Sequence, residues 1–242
     1  MRSTLRRLTV VRHGQSTANA LWARALETGD AELVGEGTDA EVRLSPLGVE
    51  QARALGRWFA AVSEGERPGL VVCSSYARAV ETWDVMAGSA RAAGIVPPPR
   101  LVDERLRDRE MGVLELLPPP AVRARAPEEA ARRERLGEWF YRPPGGESLA
   151  DVALRVRDFL TELRAGDTAG HVLLVAHDAV VIAVRHVLAG IGDPVPDDVP
   201  VPNASVSSWE RDTGSSWERD TGDGGTRLRL VEFGSVRHLG GI

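Results

Sequence analysis

The chain contains no lysine: all 30 of its basic side chains are arginine. Schiff-base and lysine-nucleophile chemistry are therefore excluded, and guanidinium is the only fixed cation available to a ligand. Cysteine is almost as scarce. Cys73 stands alone, which rules out an internal disulfide, a cysteine-ligated zinc site and an iron-sulfur cluster. A basic excess is missing too: the formal charge is -5, unsuited to neutralising a phosphate backbone, so no nucleic-acid partner is expected. No apolar run reaches membrane-spanning length and no signal-peptide pattern is present, so a cytoplasmic protein without membrane contact is the simplest expectation. No group of histidines and carboxylates has metal-ligand spacing, and neither a metal nor another cofactor is expected.

What is present fits one α/β domain over residues 1–242. Apolar runs at Leu8–Val11, Leu70–Cys73 and His171–Ala176 read as buried strands, with a short strand at Arg100–Val102. Helical stripes follow them. Ser45-Pro46 opens one helix, with Ala52, Leu55, Phe59 and Val62 on its apolar side. Ser148 to Asp151 forms a capping box ahead of a second, with Val152, Val156, Phe159 and Leu163 buried. A third, from Ala179 to Leu188, is apolar on most sides, and Ala121 to Leu136 reads as one wet helix. Ser205–Glu210 and Arg227–Glu232 alternate as an antiparallel pair. The expected architecture is a three-layer α/β/α sandwich with a mostly parallel central sheet and an antiparallel edge near the C-terminus.

Three segments stand outside this frame. Residues 21–43 are acidic and weakly periodic, which predicts a surface loop, with a lid as the second option. Residues 111–142 are the other stretch able to cover a site. Between the last two strands, the octapeptide Ser207–Gly214 repeats without change as Ser215–Gly222. It reads as a duplication tolerated in a hairpin loop at 207–222, dispensable for function.

The strand ends carry the chemistry. Arg12-His13-Gly14 alone is better explained by a strand-end turn with a solvated arginine and histidine. Yet the second strand leads into a turn and helix bearing Arg78, and the third core strand ends at His177. Parallel strands joined by helices bring such ends together. Two guanidinium forks match a phosphate dianion in charge and shape, a neutral histidine can attack phosphorus, and a carboxylic acid can protonate the leaving oxygen.

These residues resemble the histidine phosphatase superfamily, which includes cofactor-dependent phosphoglycerate mutases. The likeness rests on Arg12 to Ser16 with Asn19, Ser74 to Thr82, Leu106 to Glu115, Gly146-Glu147-Ser148 and Val175-Ala176-His177. It implies that His13 is the nucleophile, that Arg12 and Arg78 clamp the phosphoryl oxygens, that Ser16 and Asn19 line the phosphate pocket, and that His177 stabilises the transferring group. The general acid is expected at Asp108, with Glu104 as the alternative. Asp178 stands where relatives carry a small residue, and a helix-capping role would turn it away from phosphate. His171, His186 and His238 match nothing and read as packing or surface residues. The implied activity is metal-independent hydrolysis of a small phosphorylated substrate through a phosphohistidine. The alternatives are a mutase-type phosphoryl transferase and a non-catalytic phosphate-binding domain. Oligomeric state is not readable, and a homodimer stays open.

Overall fold

The structure, a computed structural model, describes residues 5–166, 169–189, 199–211, 228–240 and 242. In chain order the elements are β1 (Arg7–Arg12), α1 (Thr17–Thr28), α2 (Pro46–Ala61), β2 (Leu70–Cys73), α3 (Ala77–Ala92), β3 (Arg100–Val102), α4 (Pro119–Arg125), α5 (Pro127–Phe140), α6 (Leu149–Ala165), β4 (His171–Ala176), α7 (Asp178–Ala189), β5 (Val206–Arg211) and β6 (Leu228–Ser235). The strands form one sheet in the order β3-β2-β4-β1-β5-β6. β1 to β4 run parallel, and β5 pairs antiparallel with both β1 and β6.

Alternation along the central strands makes the layers. Leu8 and Val10 of β1, with Val172 and Leu174 of β4, face α6 and α7; Val11, Val71, Cys73, Leu173 and Val175 face α2 and α3. Burying a strand on both faces calls for a nearly continuous apolar run, which is why these segments were conspicuous. The expected sandwich is the observed one. Ser45 caps α2 by accepting from the Gly48 amide, and Ser148 and Asp151 form the expected capping box on α6. Among the described residues no helix is long and apolar enough to cross a membrane.

Several boundaries differ from expectation. Residues 21–28 are not loop but most of α1, closed by a Ser16/Asn19 capping box and by Gly29 at φ 70°. Only Ala25 of this helix is buried, so little apolar stripe marks it. The wet helix over 121–136 is two helices, because Ala126 precedes Pro127 and is driven out of the helical region to φ -141°, ψ 61°. Residues 207–211 are likewise not loop: the first repeat copy supplies β5, with Trp209 in the core. The rest of the repeat, 212–222, lies outside the described residues.

The two segments expected to flank the site meet each other. The Gly35 amide donates to the Leu116 carbonyl at 3.1 Å, the Asp39 amide to Glu115 at 2.7 Å, and Arg125 pairs with Glu32.

Candidate active site

Adjacent parallel strands carry the first residues. The His13 amide donates to Ala176 O and the Ser74 amide to Val175 O, both at 2.9 Å, so the C-terminal ends of β1, β4 and β2 stand side by side. Crevices at such ends are where ligands of α/β sheets bind. Gly14 is needed there for space. A Cβ on it would come within 2.5 Å of Gly48 O at the start of α2, a collision that no rotamer relieves. The turn after His13 is fixed further by Thr82 of α3, whose Oγ1 accepts from the Gly14 amide.

His13 and His177 are buried, with ring centroids 5.0 Å apart. His13 Nδ1 lies 2.7 Å from Gly14 O; with its proton on that nitrogen, Nε2 keeps a free lone pair. That lone pair accepts from Nε of Arg78 at 3.2 Å. Burial, then the positive charge of Arg78, holds His13 well below the ordinary histidine pKa. It is a neutral base at pH 7. His177 contacts the Ser74 hydroxyl through Nε2 at 2.8 Å, and its pKa is also lowered, first by burial.

Asp108 joins these groups. Its Oδ2 accepts from Nη2 of Arg78 at 2.8 Å and lies 3.3 Å from His177 Nδ1. Burial works to raise its pKa, but His177 and Arg78 outweigh that and hold the carboxyl well below its usual range. Glu104, the alternative acid, is exposed and accepts from Ser75 Oγ. Of the two carboxylates, only Asp108 contacts the histidine and arginine cluster. Its loop is held by Arg155 of α6, which donates to the carbonyls of Arg105, Arg107 and Asp108 while Glu147 grips the same guanidinium. The Gly146-Glu147-Ser148 motif thus has a physical task at one remove from the site.

Arg12 donates from Nη1 to Val201 O at 2.6 Å, and its Nη2 pairs with Asp178 at 3.2 Å. Asp178 is the first residue of α7 rather than the residue before it, and its Oδ1 accepts from the neighbouring Ala179 amide. Its second oxygen nevertheless turns to Arg12, contrary to the expectation that capping would direct it away. Nε of Arg12 and Nδ1 of His177 are buried without an aligned hydrogen-bond partner. Buried donors left in this way are what an incoming oxyanion can satisfy. Ser16 and Asn19 stand beside the site but bond each other in the α1 cap, and Asn19 also accepts from Asn203.

Sequence reasoning missed Ser74 as a partner of His177, Asn203 beside His13, and above all Asp39. Asp39 forms a two-pronged pair with Arg78. It lies in the acidic connection before α2, where no periodicity or motif distinguishes it from neighbouring acids. The other histidines have ordinary partners: His171 bonds Thr9 and Glu66 O, His238 contacts Ala204 O, and His186 packs on Trp139.

His13, Asp108 and His177 also place donor atoms within 4.8 Å of one another, the separation of a cation site. Arg78 already bonds His13 and Asp108 there, and a metal among the same atoms would meet that charge at contact distance. The donors fit the guanidinium better than a resident ion.

Comparisons with known proteins show the family. The model of the histidine phosphatase superfamily (branch 1) matches residues 8–222. The fructose-2,6-bisphosphatase TIGAR B of Danio rerio is 31% identical over 204 residues, 83% of this chain and 69% of that protein. A 2,3-bisphosphoglycerate-dependent phosphoglycerate mutase of Methylorubrum populi is 31% identical over 193 residues, 77% of this chain and 80% of its own. Among solved structures, a mycobacterial glucosyl-3-phosphoglycerate phosphatase in complex with VO3 superposes with a TM-score of 0.68 at 28% identity, covering 95% of this chain and 99% of that one. Two buried histidines, two arginines and a bridging carboxylate at the C-terminal edge of a parallel sheet, on a chain matched from end to end of its core, make this protein a member of the histidine phosphatase superfamily.

Proposed function

We infer that the protein is a metal-independent phosphohydrolase that releases phosphate from a small phosphomonoester in the cytoplasm. The observation that carries this reading is the buried cluster in which Arg78 holds Nε2 of His13 while Asp108 meets both Arg78 and His177. Arg12, Arg78 and His177 supply donors for the phosphoryl oxygens, with Ser16 and Asn19 behind them. In the first step Nε2 of His13 attacks phosphorus, the bond to the leaving oxygen breaks, and Asp108 gives that oxygen a proton. In the second, water attacks the phosphohistidine, the N–P bond breaks, and the Asp108 carboxylate takes the proton from water. The products are the alcohol and inorganic phosphate.

The low pKa of Asp108 bears on the order of events. In the resting site it is a carboxylate, the form the second step uses. A phosphate placed on Arg78 also removes part of the positive charge that keeps Asp108 ionised.

Phosphate release from a panel of sugar phosphates, phosphoglycerate derivatives and nucleotides, with EDTA present, tests the reading. Turnover of at least one monoester, unaffected by chelation, is expected. Isomerisation of phosphoglycerates without net phosphate release would replace hydrolysis with the mutase alternative. Loss of all turnover on chelation would contradict the metal-independent route.

A further inference from the structure

Arg78 has five N–H donors, and the resting site uses all of them. Nε donates to His13; Nη1 donates to the main-chain O and Oδ1 of Asp39 at 2.6 and 2.9 Å; Nη2 donates to Oδ2 of Asp39 at 2.9 Å and to Asp108 at 2.8 Å. The guanidinium is buried, its side chain only 4% exposed. No donor is left for a phosphate oxygen. If Arg78 binds substrate, an existing ligand must leave, and three of the five bonds belong to Asp39.

We propose that Asp39 is an exchangeable carboxylate on the phosphate clamp, occupying the Arg78 fork in the resting protein and surrendering it to the phosphoryl group. The proposal rests on the reading of Arg78 as a phosphate ligand. The two oxygens of Asp39 lie on the fork as two phosphate oxygens would, the bidentate arrangement to which guanidinium is suited. The other partners of Arg78 are not candidates for exchange, since His13 and Asp108 are needed in place for the reaction. Asp39 is. It begins a single three-residue 3-10 turn, Asp39–Glu41, whose flanking Thr38 gives no side-chain cap. Before it lies Gly37 at φ 78° with nothing near its Cβ direction, a position where the chain can turn. The turn is tied to the covering segment by the Asp39 amide bond to Glu115, so release of Asp39 and movement of that segment are coupled.

Exchange carries a cost in affinity. Each phosphate must displace a partly buried bidentate carboxylate before it meets Arg78, so the native protein binds free phosphate more weakly than its two arginines would allow.

The test is isothermal titration of the full chain with inorganic phosphate and with orthovanadate, comparing wild type, Asp39→Asn, Asp39→Ala and Glu41→Gln. Glu41 lies on the same turn, is exposed and bonds only Thr38 among the contacts described, so its variant removes an equal charge without touching Arg78. The proposal expects both Asp39 variants to bind phosphate on the order of tenfold more tightly, with Glu41→Gln near wild type. A permanent orienting role for Asp39 predicts the reverse, weaker binding in both variants, and would overturn it. So would unchanged phosphate affinity combined with a fall in kcat on an alkyl phosphate, which would make Asp39 a proton-transfer group. Tightening by Glu41→Gln equal to that by Asp39→Asn would reduce the effect to general charge and overturn it as well. Absence of phosphate binding in wild type and every variant would remove the phosphatase reading together with the proposal, whereas binding of equal strength in all four would remove the proposal alone.

Discussion

Nε of Arg78 donates to Nε2 of His13 at 3.2 Å, so one guanidinium both holds the proposed nucleophile and, through its terminal nitrogens, contacts Asp108. A lysine at 78 would retain the charge but lose the planar fork that allows these contacts at once. Arg78→Lys is expected to lower kcat/KM by about 10²–10³-fold, the loss usual for a donor aimed at developing charge. Steady-state kinetics on a phosphate monoester checks this; a loss below fivefold would mean that charge alone suffices.

The two carboxylates differ in position, not only in register. Asp108 reaches His177 and Arg78, whereas Glu104 faces solvent against Ser75. On an alkyl phosphate, whose leaving group needs a proton, Asp108→Asn is expected to cost about 10²–10⁴-fold in kcat, and Glu104→Gln less than twofold. On para-nitrophenyl phosphate the Asp108 penalty should shrink. Equal penalties on both substrates would point to a structural role for Asp108.

Histidine burial gives the stability a defined pH dependence. His13, His177 and His238 have lowered pKa values, and His171 is lowered to about 4, each first by burial. In the unfolded chain they take up protons near pH 6.5. Between that pH and about 4 the unfolded state binds more protons than the folded one, so stability falls as pH falls. The lowered carboxyls of Asp103, Asp108 and Glu147 extend the loss below pH 4. Thermal melts from pH 7.5 to 4.5 should show a steady decline in Tm; a flat or rising Tm would contradict the burial of these histidines.

Removing residues 215–222 or 207–214 yields the same sequence, because the copies are identical. Either deletion leaves one copy to form β5 and shortens the connection to β6 by eight residues. Each doubling of loop length is worth only about 0.6 kcal/mol. The shortened protein should therefore match the parent in kcat/KM within twofold, and in stability within about 1 kcal/mol on urea titration. A larger loss of either would give the second copy a role.

Legibility in the sequence followed burial in the sheet centre and chain punctuation at its edge. The runs that became β2 and β4 were delimited to the residue because strands covered on both faces are apolar throughout, whereas β3, an exposed edge strand, was delimited by the prolines before it. Helix α1 was lost because a solvated helix leaves little stripe, although Ser16, Asn19 and Gly29 carried its caps in plain view. Likewise, Pro127 marked the break between α4 and α5, and the charge pattern masked it. In the site, His13, Arg12, Arg78 and His177 were accessible because each sits at or just after a strand end. Asp178 was visible but misdirected, since one of its oxygens takes the neighbouring Ala179 amide and leaves the other to pair with Arg12. Asp39 and Arg155 were not legible. Their partners lie far off in sequence, at Arg78 and at the loop around Asp108, and only the tertiary fold brings them into contact.

The central claim is a covalent phosphate on His13. Rapid mixing of the protein with a turned-over monoester, followed by alkaline denaturation and phosphorus NMR, tests it directly, because phosphohistidine survives base and hydrolyses in acid. The account predicts a phosphohistidine signal in wild type, its accumulation in Asp108→Asn on an activated substrate, and its absence in His13→Ala. Turnover at wild-type rate by His13→Ala, or a trapped phosphohistidine that lies on His177 instead of His13, would contradict it.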